Sequence, residues 1–232
     1  MAKQKNHGVF ISDKEKWWGF GYLLFQLCVL PSLLLRLNGL LKYPLDNAWL
    51  NFLYFSLNFF FVCTIFKTFL KRSLSHAGSY FGDFLIAVVP GFAVYWVANF
   101  LLSMLIQKIV PDYVNLNDAS IIGMTSGNFV VMVLGTVLFV PVVEETLHRG
   151  LVFGTLYKKN PTLAYVFSAA LFAVIHVAGY VGIYSTPALL AAVVQYLPAG
   201  FILAWAYRKS GSIYAPILIH MAVNTVGICI AR

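Results

Sequence analysis

Long apolar runs recur along almost the whole chain, separated by short polar or basic stretches. A helix rising about 1.5 Å per residue needs roughly 20 mostly apolar residues to cross a hydrocarbon core. Seven stretches meet that requirement, at about 17–37, 46–66, 84–106, 128–157, 162–180, 186–207 and 212–231. The fourth is long enough to break into two pieces, so six and eight are the alternative counts. The pattern predicts an all-α integral membrane protein, a bundle of about seven transmembrane helices enclosing an intramembrane polar site.

The intervening stretches are short. The segment at 107–127 contains PDYVNLNDAS, with Pro111, Asn115, Asn117 and Asp118, which reads as turn and loop chemistry rather than a binding motif. The polar residues 1–16 lead into an apolar run too long for a cleaved leader and without a small-x-small cleavage pattern, so a retained first span is expected. No internal repeat appears, and no connection is large enough to fold as a soluble domain.

Composition agrees with the pattern: 60% of the 232 residues are hydrophobic and 10% are charged. The net charge of +8 raises the question of a nucleic-acid partner, but the placement of the basic residues answers it. Lys3, Lys5, Lys14 and Lys16 precede the first span; Lys67, Lys71 and Arg72 follow the second. Lys158 and Lys159 follow the fourth, and Arg208 and Lys209 the sixth. Every second boundary is basic, which predicts a cytoplasmic N-terminus and an external C-terminus, with a lipid bilayer and no nucleic acid as partner. Trp17, Trp18, Tyr43, Trp49, Tyr157 and Tyr207 lie near span ends and read as an interfacial belt. Cys28, Cys63 and Cys229 lie in apolar runs and read as small buried hydrophobes.

Ionisable groups inside a span are costly, about 2.5 to 3.5 kcal/mol at the bilayer centre on insertion scales, so their positions carry information. The first three spans hold little: Arg36 and Asp83 near ends, and Gln26 and Asn99 as single polar residues able to bond across helices. The fourth span carries Glu144, Glu145, His148 and Arg149, the fifth His176, the seventh His220 and Asn224. Four-residue spacing stacks Glu144 with His148, Glu145 with Arg149, Phe172 with His176, and His220 with Asn224. Pro141 cannot donate its backbone hydrogen bond, which frees the Val137 carbonyl of a regular α-helix and kinks the span beside Glu144. Gly150 and Gly154 form a small-xxx-small pair that permits close packing.

A carboxylate and an imidazole facing one water can deprotonate it and aim it at a carbonyl, while a second imidazole and an amide can donate to the resulting oxyanion. On this reading Glu144 is the general base, His176 positions the water, and His220 and Asn224 are the oxyanion donors. Glu145 and Arg149 form an ion pair that holds the helix. Water activation requires a proton-accepting Glu144 or His176, so activity is expected to fall on acidification. The same atoms allow a metal reading, with Glu144, His176 and His220 around zinc, so the cofactor is either none or zinc. No Ser or Cys pairs clearly with a His. A non-catalytic interaction protein, using the polar groups as packing glue, is the alternative from another class; a transporter is disfavoured by the lack of repeated halves.

At these residues the sequence resembles the CAAX prenyl protease and bacteriocin-processing family of intramembrane proteases, also called the Abi family. Its EExxxR motif matches Glu144, Glu145 and Arg149, its FxxxH motif Phe172 and His176, and its HxxxN motif His220 and Asn224. The resemblance implies a catalytic region at 121–232, preceded at 1–120 by three transmembrane helices without a family signature. It implies water activation by Glu144 and His176 and oxyanion stabilisation by His220 and Asn224; Glu145, Arg149 and Phe172 are expected to give structural support. It also implies a membrane-associated peptide or protein substrate in a bacterial plasma membrane: a bacteriocin or signalling-peptide precursor, an incoming bacteriocin, or a prenylated CAAX tail. The family often has an aromatic residue where this chain has His148.

Overall fold

The computed structural model describes residues 8–230, and among them there are helices and no strands. The chain is an integral membrane protein. Each of the seven apolar stretches is helical, but they are not seven equal spans.

Among the described residues five helical units are long and apolar enough to cross a bilayer on their own: Asn47–Ile65, Phe81–Ile109, Asn128–Tyr157, Pro161–Tyr180 and Thr186–Ser210. The first stretch is instead a broken pair, α1 (Asp13–Cys28) and α2 (Leu30–Gly39), bent by 45°. Pro31 lies in the first turn of α2, where its ring and missing N–H oppose continuation of α1. The last stretch is α11 (Tyr214–Ile230), whose 17 residues extend about 26 Å, short of a hydrocarbon core of about 30 Å.

Between the broken pair and α11 the order is α3 (Asn47–Ile65), α4 (Lys67–Ser79), α5 (Phe81–Ile109) and α6 (Leu116–Val133). The fourth span continues through α7 (Val140–Glu145) and α8 (Gly154–Tyr157), and α9 (Pro161–Val177) and α10 (Thr186–Ser210) follow. Helix α4 was not expected: it buries Phe69, Leu70, Ser73 and Ala77 on one face and carries Lys67, Lys71 and Arg72. Glu15, itself buried, accepts the Phe69 N–H at 2.8 Å, so one carboxylate closes the capping box of α1 and caps the first turn of α4.

Helices α9 and α10 pack so closely that a Cβ on Gly200 would lie 2.4 Å from the Ala169 Cα. That glycine, rather than Gly150 or Gly154, makes the tight backbone approach. Gly150 faces the Phe69 ring, and Gly154 lies near Phe10 and the Arg149 carbonyl.

Three sequence expectations are corrected. Tyr207 is 1% exposed and donates to the Val9 carbonyl, so it belongs to the core under the N-terminal segment rather than to an interfacial belt. Cys28 and Cys229 are exposed and Cys63 is half-buried; the outside of a membrane bundle is apolar, so a small hydrophobe there faces lipid. The stretch read as loop up to 127 becomes helix at Leu116, with Asn115 capping Asp118, and it joins the fourth span through a kink at Asn128.

Candidate active site

The fourth span is regular only in part. Residues Leu134–Phe139 and Thr146–Phe153 are π-helical and flank the short α7. Such widened turns recur at functional sites, and here Pro141 accounts for the first. In the π pattern Val140 donates to Gly135 and the next donor should be residue 141, which has no N–H. The acceptor left free is therefore the Thr136 carbonyl, one residue before the α-helical expectation of Val137. Asn224 fills that place, donating its Nδ2 to Thr136 O at 2.8 Å and tying α11 to the widened turn.

Glu144 follows three residues after Pro141. Its Oε2 is 3.6 Å from His176 Nε2, beyond hydrogen-bond range, and has no hydrogen-bond partner; the Glu144 side chain is 24% exposed. His176 is oriented by its other nitrogen, Nδ1, 2.9 Å from the Phe172 carbonyl on α9. The two residues face a cavity of about 370 Å³ that also touches Thr136, His220 and Asn224.

The second carboxylate has a different environment. Glu145 and Arg149 are both 0% exposed, with Nη1 2.9 Å from Oε1, and Arg149 Nη2 is 3.4 Å from the Ala199 and Gly200 carbonyls. The same Oε1 is 2.9 Å from His220 Nδ1. Phe172 lies beneath this group: the Arg149 guanidinium is 4.3 Å from its ring centroid, and the His176, His148 and His220 rings stand against it at 4.2, 5.6 and 6.2 Å.

The metal reading fits these side chains poorly. Among the described residues no three His, Cys, Asp or Glu side chains converge as ligands. Glu144 and His176 approach each other, but the Nδ1 of His220 is turned to Glu145.

Sequence reasoning missed one wall of the cavity. It is formed by Asn115, Asn117 and Asp118 at the start of α6, with Gln195 and Tyr196 of α10 and Asn99 of α5. Tyr196 stacks on His176 at 4.6 Å and exchanges hydrogen bonds with Asn115; Gln195 accepts from Tyr113 at 2.6 Å. Asp118 is exposed at the mouth, yet desolvation by its surroundings raises its pKa, opposed by the Asn117 hydrogen bond and the charge of His176. The signals were the amides clustered in NLND and a Gln-Tyr pair inside an apolar span.

The geometry can be set beside known proteins. Residues 126–226 match the family described as Type II CAAX prenyl endopeptidase Rce1-like, a range that contains all three motifs. A protein named "Putative membrane peptidase YdiL" from Bacillus subtilis is 30% identical over 95 residues, covering 40% of this chain and 34% of the relative. A protein named UPF0177 protein YxdF from Lactococcus lactis is 32% identical over 90 residues, 39% of this chain and 44% of the relative. Over residues 126–226 the chain is similar to the CAAX prenyl endopeptidase family. The family match covers the fourth to seventh apolar stretches, whereas Asn99, Asn115, Asn117 and Asp118 lie before it. The matched region spans 34% and 44% of the length of these two curated relatives. No solved structure matches the chain.

Proposed function

We propose that this protein is an intramembrane endopeptidase that hydrolyses a peptide bond in a membrane-associated peptide or protein. The observation that carries the reading is the Glu144–His176 pair at 3.6 Å, facing a cavity of about 370 Å³ inside the bundle. A water held between these side chains gives a proton to Glu144, and the hydroxide adds to the peptide carbonyl carbon. The C–N bond breaks as the proton passes to the leaving amine, giving a carboxylate and a free amino group. His176 keeps its Nε2 toward the pair because Nδ1 is held by the Phe172 carbonyl.

Asn224 has one amide hydrogen committed to Thr136, which leaves the other for the oxyanion. The Nε2 of His220 is the ring nitrogen left for the oxyanion, since Nδ1 is turned to Glu145. Helix α9 and the 121–232 region supply this machinery, in a bacterial plasma membrane with the N-terminus cytoplasmic.

Processing of a bacteriocin or signalling-peptide precursor, or self-protection against a bacteriocin, is the assigned setting, with a CAAX-type substrate as the runner-up. The test is comparative peptide mass analysis of cells carrying wild type or Glu144→Ala at equal membrane abundance. At least one product peptide should be lost in the variant. Identical peptide profiles refute the assignment.

A further inference from the structure

Glu144 has a second cavity on its other side. It measures about 80 Å³, and its mainly apolar lining, with Leu27, Val143 and Leu147, includes Gln26, Tyr54, Asn58, Glu144 and His148. Glu144, Phe55, Val140 and Ile175 line both cavities, so the carboxylate stands in the partition between them.

The small chamber has the volume for a few waters beside its polar residues. About 10–15 Å³ of such space admits one water, given two to four polar partners. Asn58 is fixed by the Tyr22 hydroxyl at 2.8 Å and by its own bond to the Tyr54 carbonyl at 2.8 Å, which makes one wall rigid. The Tyr54 hydroxyl makes long contacts with Gln26, at 3.3 and 3.5 Å. His148 is 2% exposed, its Nδ1 lacks a hydrogen-bond partner, and its ring rests edge-on against Phe172. A buried imidazole with an unpartnered nitrogen calls for a physical account; a hydrated chamber beside it supplies one.

We infer that this chamber holds and delivers the hydrolytic water from behind Glu144, and that His148 is its positioning residue. The inference rests on the peptidase reading above. Each cleavage consumes one water, and a peptide filling the larger cavity blocks the front approach to the carboxylate. A separate supply through the partition brings that water to its place between Glu144 and His176 without passing the bound peptide.

The test uses the full chain in lipid nanodiscs, without substrate. X-ray radiolytic footprinting oxidises side chains next to ordered water, and Tyr95 of the larger cavity serves as reference. In wild type Tyr54 should be labelled at a rate within about threefold of Tyr95, as expected for a hydrated chamber. His148→Phe, an apolar ring of similar size, should lower Tyr54 labelling about fivefold or more and leave Tyr95 unchanged. No Tyr54 labelling in wild type, or equal labelling in both proteins, overturns the inference.

A second arm follows the peptide product that separates wild type from Glu144→Ala. His148→Phe should lower kcat about tenfold with KM unchanged, and His148→Gln should restore part of the loss by again hydrogen-bonding water. Unchanged kcat in His148→Phe overturns the supply role. A hydrated chamber in a protein that forms no product overturns the peptidase reading but keeps the water site; a dry chamber in one that forms product does the reverse.

Discussion

Replacing Arg149 by Met keeps most of the side-chain volume and removes one charge from a fully buried pair. In the native protein Glu145 Oε1 receives Arg149 Nη1 and His220 Nδ1, each at 2.9 Å, while the guanidinium also rests on Phe172. Removing one partner of a buried pair costs about 3 to 5 kcal/mol, because the other charge stays behind without compensation. Arg149→Met should fall in that range. Glu145→Gln/Arg149→Met has no charge left to strand and should lie within about 2 kcal/mol of wild type, a coupling of at least 2 kcal/mol on the scale seen for contacting residues. Reversible unfolding of the four proteins in bicelles measures the cycle. If Arg149→Met costs less than about 1 kcal/mol, or the single effects simply add, the pair is not the buried unit described here.

Other substitutions probe separate parts of the structure. Gly200→Ala puts a methyl group 2.4 Å from the Ala169 Cα and 2.8 Å from its Cβ. Because α9 must move, a cost of about 3 kcal/mol, at the upper end for overpacking, is expected in the same unfolding assay. Gly211 has φ +69° and stands close to the His76 ring. Gly211→Ala should cost at least about 1 to 2 kcal/mol from the left-handed conformation alone, and a neutral effect in unfolding would count against this turn. Asn224→Ala removes a proposed oxyanion donor and the Thr136 tie. Product formation should drop about 10²- to 10³-fold, and a change below tenfold in cells would remove Asn224 from the chemistry.

What could be read from the sequence divides along physical lines. The positions of the apolar helices were legible because roughly 20 consecutive apolar residues have few alternatives to a span. The break near Val29 was marked by Pro31, but an uninterrupted hydropathy run concealed it. Glu144, His176, His220 and Asn224 stood out because ionisable and strongly polar groups are costly in a bilayer. Their mutual arrangement was less legible, since four-residue stacking assumes an α-helix and this span is widened on both sides of α7. That widening moved the freed carbonyl from Val137 to Thr136. The amide-rich wall at Asn115, Asn117 and Asp118 was hidden for another reason: its side chains are ordinary turn formers, and only tertiary packing sets them opposite Gln195 and Tyr196.

In the proposed mechanism Glu144, opposed by His176, activates water for peptide hydrolysis. The most direct measurement incubates membranes carrying wild type or Glu144→Gln, at equal abundance, in water enriched in oxygen-18 and follows the product peptide by mass spectrometry. Wild type should yield product with heavy oxygen in its new C-terminal carboxylate, and Glu144→Gln should yield none above background. Labelled product from Glu144→Gln at the wild-type rate would contradict the claim.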